Sequence, residues 1–328
     1  MIRFLARRFL WFVVTVWAVV TVSFFLMRSV RGGPFSSERS LSPTIERNLQ
    51  ARYHLDWPMW KQYLQYVGPF NLDERGPSFA GGDGSKVFGG VTTGDFGPSF
   101  KYRDFTVNDI LSQSLPISLS LGMFALCWAI ALGVSSGILS ALLRGGPFDV
   151  ALRCLATLGV ALPNFVLASL LVLLFSFGLG LFPVAGWGSA RHLVLPALAL
   201  GAPFAAYIAR LTRSGMLEVL SQDHIRTAQA KGLRARTIVL RHALKGGCLP
   251  VVTYLGPATA GILTGSLVIE KIFAIPGTGT HFVNSALNRD YTLSMGVTIL
   301  YTVLVYSLNV IVDLAYNLLD PRIRLEEA

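Results

Sequence analysis

Long stretches without a charged residue recur along this chain, and short segments rich in lysine and arginine separate them. Hydrocarbon offers the backbone no hydrogen-bonding partner, so an apolar stretch of about 20 residues is typical of a membrane-spanning helix. Six such stretches are predicted, at about 9–30, within 114–143, from 154 to about 177, and at about 192–212, 246–269 and 292–312. The pattern therefore predicts an all-α membrane protein with six transmembrane helices.

Two of these stretches need further evidence to fix their ends. The first follows three arginines, as the apolar part of a signal peptide does, but its 19 uncharged residues exceed that length and no small-residue cleavage site follows. We interpret it as a retained first span. The third stretch continues without charge as far as Ala190, for 37 residues in all. Pro183 and the glycines around it predict that the helix ends near Phe177 and that an outer loop follows.

The composition supports a membrane protein and narrows the other classes. Only 14% of the 328 residues are charged, whereas a soluble domain carries about 25%. Basic loops that anchor a membrane protein explain the net charge of +10, so membrane lipid is a predicted partner and nucleic acid is not. Cys127, Cys154 and Cys248 lie in or beside apolar stretches without a C-x-x-C pair, which indicates neither a disulfide framework nor a metal site.

The basic residues predict how the chain is oriented. The segment 212–245 holds seven Lys/Arg against two acidic residues, and further basic residues lie at the N-terminus, after the second span and in the tail. By the positive-inside rule this side is cytoplasmic. The chain is therefore predicted to lie in a bacterial inner membrane with both termini in the cytoplasm. The predicted organisation is an N-terminal end with the first span at 1–30, a periplasmic subdomain at 31–112, a five-helix core at 113–320 and a cytoplasmic tail at 321–328.

The predicted external subdomain carries nine Lys/Arg and nine Asp/Glu, so its charge is balanced and it can be translocated. Amphipathic spacing predicts a short helix at about 43–66. A stretch rich in Gly, Ser and Asp follows at about 68–92 and looks like an insertion whose role the sequence leaves open.

The segment 212–245 is too long for a simple connector. Apolar residues at Ile225, Ala228 and Leu233 share a helical face, Gly232 breaks the pattern, and a second basic helix is predicted from about Ala235 into the fifth span. Such a helix–turn–helix is suited to bind a partner protein. A basic amphipathic helix lying on anionic lipid fits the same pattern, and the pattern alone favours neither.

One part of this segment resembles the EAA loop of ABC importer permeases: Arg226-Thr227-Ala228-Gln229-Ala230-Lys231-Gly232, followed by Arg241-His242-Ala243-Leu244. Arg226 stands where the general pattern has Glu, and the whole has the form that the loop takes in the oligopeptide/dipeptide/nickel permease family. Other segments along nearly the whole chain resemble this family, and most of all the B-type subunits of oligopeptide permeases: 94–99, 269–273, 276–279, 288–291 and 320–322.

The resemblance implies a type I ABC importer permease fold, in which the loop forms a coupling helix that docks on a cytoplasmic ATPase. Carried over to this chain, the coupling residues are Glu218, Asp223, Arg226, Thr227, Ala228, Ala230, Lys231 and Gly232. Small residues such as Ala228 and Ala230 would let the ATPase surface approach closely, and Gly232 would allow the turn. The resemblance does not indicate which residues line the substrate pathway.

The implied function is import of oligopeptides or dipeptides from the periplasm to the cytoplasm, with nickel or sugars as alternative cargo. The implied partners are a homologous second permease, two cytoplasmic ATPase subunits that bind ATP and Mg, and a periplasmic peptide-binding protein. The chain has no G-x-x-x-x-G-K-[ST] phosphate loop, so we expect no enzymatic activity and no bound cofactor.

An ion-coupled secondary transporter is the alternative class, and it would need ionisable residues at mid-membrane. Arg153, Arg210, Glu270 and Asp313 lie in or beside the predicted spans, all near span ends from which their side chains reach the interface. A structural role is therefore favoured for them. Glu270 and Arg289 are candidates for an ion pair at the outer mouth, which the sequence alone does not show.

Glycines and prolines inside the spans are interpreted mainly as architectural. Gly133 with Gly137 and Gly261 with Gly265 have the spacing that permits close helix contact. Prolines within or at the ends of spans are expected to kink or cap helices, namely Pro163, Pro196, Pro203, Pro250 and Pro257.

Overall fold

Helices account for nearly all of the regular structure. The computed structural model describes residues 2–29, 53–68, 90–102, 105–264 and 266–319, together with Arg47, Gln50 and Leu72. The α-helices are α1 (Ile2–Ser29), α2 (Met59–Val67), α3 (Val107–Leu142), α4 (Pro147–Ala161), α5 (Asn164–Leu171), α6 (Ala190–Leu220), α7 (Asp223–Ala230), α8 (Ala235–Thr237), α9 (Leu244–Gly247), α10 (Leu249–Thr264), α11 (Leu267–Ile272), α12 (Thr278–Leu287) and α13 (Tyr291–Leu319). Wider π-helical turns extend α5 at Val172–Gly178 and join α8 to α9 at Ile238–Ala243.

Five helical segments of the described chain are long and apolar enough to cross a membrane, and each overlaps a predicted span; one of them combines α10 and α11. They are Ala6–Ser29, Val107–Leu142, Ala190–Leu220, Leu249–Ile272 and Tyr291–Val312. Prolines do not end three of these helices, because Pro116, Pro196 and Pro257 lie inside α3, α6 and α10. The apolar pattern thus located these spans, and the helices extend beyond it at several ends.

The third predicted span is not one continuous helix, so that detail of the prediction is wrong. α4 and α5 meet at an angle of 115°, and the pair makes a sixth span only if both helices are counted together. The break lies at Leu162, which is extended with φ −82° and ψ 127°. The following residue, Pro163, disfavours a helical conformation at Leu162 and has no N–H to donate.

One compact unit combines the described residues of 1–117 with those of 276–307. Its core joins α1, α2 and α13 through Val20, Phe24, Tyr66, Met295 and Ile299. α12 belongs to the same unit and was not predicted, because its 10 residues form no long apolar stretch.

The helix predicted at 43–66 is interrupted. Arg47 and Gln50 are helical, but residues 53–57 form a turn in which His54 has a φ of 54°, and α2 begins only after Pro58. Proline lacks an N–H and restricts the residue before it, which explains why the helix does not run through this position. The glycine-rich stretch at 68–92 lies outside the described residues, apart from Gly68, Leu72 and 90–92.

The second compact unit combines residues 118–275 with 308–319. Its α3 and α6 approach closely where the sequence predicted small-residue packing. A Cβ atom on Gly133 would lie 2.7 Å from the Ala205 carbonyl oxygen, and one on Gly137 would lie 2.5 Å from Thr212 Cβ. Gly261 faces the ring of Phe204. Its predicted companion, Gly265, lies outside the described residues.

Candidate coupling site

The first part of the segment 212–245 is the end of α6 rather than a loop. Thr212, Gly215, Met216 and Val219 are buried at helical spacing, so the apolar stripe of the span continues beneath the charged residues and keeps the helix intact to Leu220. Gly215 makes the closest approach, because its Cβ would lie 2.3 Å from the carbonyl oxygen of Gly247 in α9. No sequence pattern predicts this contact, since the two glycines are 32 residues apart in the chain.

A short turn at Ser221 and Gln222 leads into α7, the helix predicted from the EAA-like pattern. Asp223 lies in the first turn of α7, where a negative charge interacts favourably with the helix dipole. An Arg226 Nη atom lies 3.4 Å from a carboxylate oxygen of Asp223. Both side chains are largely exposed, so this pair contributes little to stability.

The inner face of α7 is buried in the chain's own core. Ile225 and Ala228 are 0% and 5% exposed and belong to one cluster with residues of α3, α6 and the basic segment: Ala141, Met216, Val219, Ile238 and Ala243. This corrects one detail of the sequence analysis. Ala228 was expected to face the ATPase, but its methyl group fills the interior because it lies one helical turn after Ile225.

The outer face of α7 is exposed to solvent. The structure leaves at the surface all the predicted coupling residues except Ala228, namely Glu218, Asp223, Arg226, Thr227, Ala230, Lys231 and Gly232. They combine short side chains with charges of both signs. This surface is therefore suited to a close-fitting protein partner.

Gly232 ends α7 in a left-handed conformation with a φ of 73°. The Gly232 and Leu233 N–H groups donate to the carbonyl oxygens of Gln229 and Ala228 at 2.9 Å and 3.3 Å. This arrangement caps the helix and turns the chain toward α8. No atom lies within 4 Å of a Cβ built on Gly232, so the glycine is required by conformation and not by lack of space.

The basic segment after α7 also lies at the surface. Arg234, Arg236, Arg241 and Lys245 are exposed, while Ile238 and Ala243 bury the other face in the same cluster as α7. The helix–turn–helix therefore has one apolar face turned into the protein. Its apolar residues at these positions are not available to enter a lipid surface.

Comparison with known proteins establishes the family of the chain. Residues 133–325 match the model of the family described as binding-protein-dependent transport system inner membrane component. The chain belongs to this family. It is 45% identical to the oligopeptide transport system permease protein OppB of Haemophilus influenzae, over 99% of this chain and 100% of that protein. It is also 45% identical to the dipeptide transport system permease protein DppB of Bacillus subtilis, over 100% of this chain and 99% of that one.

A solved transporter structure has a similar fold. The inward-facing MetNI methionine ABC transporter aligns with a TM-score of 0.55 at 17% identity, covering 64% of this chain and 96% of that chain. The predicted type I permease fold and the resemblance to oligopeptide and dipeptide permeases are confirmed. The protein is thus a multi-pass inner membrane component of a transport system.

A buried carboxylate that the sequence analysis missed fastens this permease's helices near the coupling segment. Asp149, 1% exposed, accepts hydrogen bonds from Ser140 Oγ at 2.5 Å and from the Gly145 N–H at 3.0 Å. Arg213 binds it with Nε and an Nη atom, both at 2.9 Å, and Arg153 Nε lies at 3.4 Å. We call these residues the Asp149 clamp. The only signal in the sequence was an acidic residue in a short basic loop.

The other ionisable residues of the spans have local partners or lie outside the described side chains. Arg210 lies over the Tyr207 ring at 5.2 Å, and buried Glu270 accepts a hydrogen bond from Ser266 Oγ at 2.6 Å. Nothing is described of the Asp313 side chain. The pairing of Glu270 with Arg289 stays a prediction.

Two family-like segments meet in the other compact unit of the permease. Asp290, 1% exposed, accepts hydrogen bonds from Ser99 Oγ and from the N–H groups of Phe100 and Leu293, both at 3.2 Å. Thr292 Oγ1 also donates to it at 3.1 Å. We call this arrangement the Asp290 knot. The segments 94–99 and 288–291, which both carry the resemblance, thus meet at the start of α13.

Proposed function

We propose that this permease is a membrane-spanning subunit of an ATP-driven importer that moves oligopeptides or dipeptides from the periplasm to the cytoplasm. The observation that carries the proposal is 45% identity to an oligopeptide and to a dipeptide permease protein, in each case over essentially the whole chain. Because the identity extends beyond the EAA-like segment, it includes the spans through which a substrate passes.

The coupling helix of the proposed importer is α7. Ile225 and Ala228 anchor it against the ends of α3 and α6, so α7 cannot rotate without breaking a buried cluster. A displacement of α7 by a partner is therefore passed to these two spans. Rigid movement of packed helices is one way in which a transporter opens its pathway alternately to each side.

The docking chemistry follows from the outer face of α7. Thr227, Ala230 and Gly232 are short and let a partner backbone approach, while Asp223 and Lys231 offer charges of opposite sign. A partner groove with complementary charges would bind this surface in one register. We propose that the groove belongs to a cytoplasmic ATPase subunit.

The complete importer needs further subunits. A homologous second permease completes the membrane part, two ATPase subunits bind ATP and Mg and hydrolyse the ATP, and a periplasmic binding protein delivers the peptide. The permease itself performs no hydrolysis, consistent with the lack of a phosphate-loop motif in its sequence.

Reconstitution tests this function. The permease is co-expressed with a second permease and two ATPases from the same genome, and the complex is placed in proteoliposomes with the binding protein. Uptake of labelled dipeptide, pentapeptide, Ni²⁺ and a sugar is then measured with ATP or with a non-hydrolysable analogue. We expect uptake of the peptides only, and only with ATP.

Two other results would redirect the proposal. Uptake of Ni²⁺ or sugar in place of peptide would retain the ATP-driven importer and change its cargo. Peptide uptake that continues without ATP and stops when a proton ionophore collapses the ion gradient would instead identify a secondary transporter.

The topology is tested separately. Residues 212–245 and both termini are proposed to be cytoplasmic and 31–112 periplasmic. Single cysteines replace exposed Lys101 and Arg234 in a variant without native cysteines. A membrane-impermeant thiol reagent applied to intact spheroplasts should label position 101 only, and labelling of position 234 alone would reverse the orientation.

A further inference from the structure

The Asp149 clamp joins three separate parts of one compact unit. Ser140 lies on α3, and the Gly145 N–H belongs to the turn after α3. Asp149 lies in the first turn of α4, and Arg213 lies on α6. The guanidinium of Arg213 binds both carboxylate oxygens through two parallel hydrogen bonds. Such a bidentate pair fixes distance and orientation together, which a single hydrogen bond or a lysine contact does not.

The clamp lies beside the segments that carry the coupling helix. One residue after Ser140, Ala141 enters the cluster that buries Ile225 and Ala228, and Met216 enters it from α6 about one turn beyond Arg213. The apolar cluster thus links α7 to α3 and α6. The clamp adds α4, which contributes none of the residues described in that cluster.

The first turn of α4 buries little apolar surface, since Phe148 and Val150 are both exposed. Farther along α4, Gly159 approaches Ala206 of α6, with 3.2 Å between a built Cβ and the alanine methyl group. At the start of α4 the polar contacts of Asp149 hold the helix to its neighbours. A buried carboxylate satisfied from three directions is a specific joint, because sliding by one turn would leave its donors unpaired.

We infer that Asp149 is a positioning residue for energy coupling, which holds α4 to α3 and α6 so that a displacement of α7 moves the three helices as one block. Arg213 is its cationic partner. This inference rests on the proposed function of the permease as an ATP-coupled subunit. Asp149 touches neither the ATPase-facing surface nor α7, so it acts only through the helices that it joins.

The test measures coupling and geometry in the same variants. Asp149→Asn keeps the shape of the side chain and removes its charge, and Arg213→Lys keeps the charge and removes the bidentate contact. Ser140→Ala removes one donor and is the mildest change, which keeps the test valid if a stronger variant folds poorly. Arg210→Gln, three residues from Arg213 on the exposed side of α6, is the matched control.

Peptide uptake and ATP hydrolysis are measured together in proteoliposomes that contain the whole complex. We expect Asp149→Asn to lower the peptide imported per ATP hydrolysed by about tenfold. Arg213→Lys and Ser140→Ala should give smaller decreases, and Arg210→Gln none. Assembly with the ATPases should be unchanged, because the α7 surface is intact. If Asp149 had only a structural role, its loss would lower protein abundance, peptide uptake and ATP hydrolysis together. The amount of peptide imported per ATP hydrolysed would then stay the same.

A distance measurement on the isolated permease gives an answer that does not need a working importer. Spin labels at exposed Arg144 and Ser214 report the separation of the α3–α4 turn from α6. The distribution should be narrow in the parent protein and broad in Asp149→Asn. A narrow distribution in the variant, or an unchanged ratio of import to hydrolysis, overturns the inference. Absence of ATP-dependent uptake by the parent complex would instead refute the proposed function.

Discussion

The Asp149 clamp and the Asp290 knot are both built on a carboxylate that is 1% exposed, yet they use different donors. Asp149 is bound by the guanidinium of Arg213 and lies beside a helix with an open outer face. Asp290 is bound by hydroxyl and backbone N–H groups, and every donor described around it is neutral.

The difference in donors indicates a difference in role: the Asp149 clamp holds helices to one another, whereas the Asp290 knot stabilises the start of one helix. The neutral donors of Thr292 and Leu293 cap the start of α13, and those of Ser99 and Phe100 hold a distant loop of the chain to the same helix end. A charged donor from another helix fixes the relation of two helices that must move together. We therefore expect substitutions near the coupling helix to change transport, and substitutions in the Asp290 knot to change stability alone.

The largest effect is expected where a charge enters the cluster beneath α7. Ala228→Asp places a carboxylate in the apolar cluster without a partner and should cost about 3–5 kcal/mol of stability. Ala230→Asp puts the same group on the exposed face two residues later. It should leave the abundance of folded permease in the membrane unchanged and weaken ATPase co-purification.

Abundance, thermal unfolding in detergent and ATPase association distinguish the two variants. Equal loss of abundance in both would show that the α7 faces are not distinct. Stable Ala228→Asp protein with lost ATPase binding would return Ala228 to the docking surface.

The next largest effect is expected in the Asp290 knot. Asp290→Ala removes the acceptor for two hydroxyl and several backbone donors and should destabilise the protein by about 3 kcal/mol. Asp290→Asn retains one acceptor oxygen and should cost about 1 kcal/mol. Thermal unfolding measures both, and import per ATP by the folded fraction should equal that of the parent.

A large decrease in peptide imported per ATP hydrolysed by Asp290→Asn would show that the Asp290 knot also contributes to coupling, and the two sites would then not differ in role. The sharpest single comparison is with Asp149→Asn, which makes the same chemical change beside Arg213. Only Asp149→Asn should lower the amount of peptide imported per ATP hydrolysed.

A smaller effect is expected where α6 and α9 touch. Gly215→Ala would bring a methyl group to 2.3 Å from the Gly247 carbonyl oxygen, so the helices must separate. The expected cost is about 1–3 kcal/mol. Ser214→Ala changes the neighbouring exposed position and serves as the control. An unchanged unfolding temperature in Gly215→Ala would mean that α6 and α9 can separate without loss.

The smallest effect is expected at the end of α7. Gly232→Ala introduces a side chain at a φ of 73° and should cost about 1 kcal/mol. Gly232→Asn should cost less, because asparagine adopts this conformation more readily. Thermal unfolding measures this order. Equal destabilisation by Gly232→Ala and Gly232→Asn would contradict a conformational requirement for glycine, since no atom lies within 4 Å of the built Cβ to exclude a side chain.

The sequence by itself determined the membrane class, the positions of five spans, a helix and turn that end at Gly232, and the family. These properties are local or compositional, because the apolar length of a span is imposed by hydrocarbon and the turn at Gly232 by its own backbone. The resemblance assigned eight residues to the coupling surface; the structure leaves seven of them exposed and buries Ala228, and their role in coupling stays a prediction.

Only the tertiary structure decided which groups meet. Arg213 follows Asp149 by 64 residues, and Asp290 follows Ser99 by 191, so no pattern within a helix or turn links them. Which face of α7 is buried was likewise decided by residues of α3 and α6, which pack against Ile225 and Ala228 in one apolar cluster. A periodic sequence defines a helical face, but the free energy that orients the face comes from neighbours that the chain brings together only when it folds.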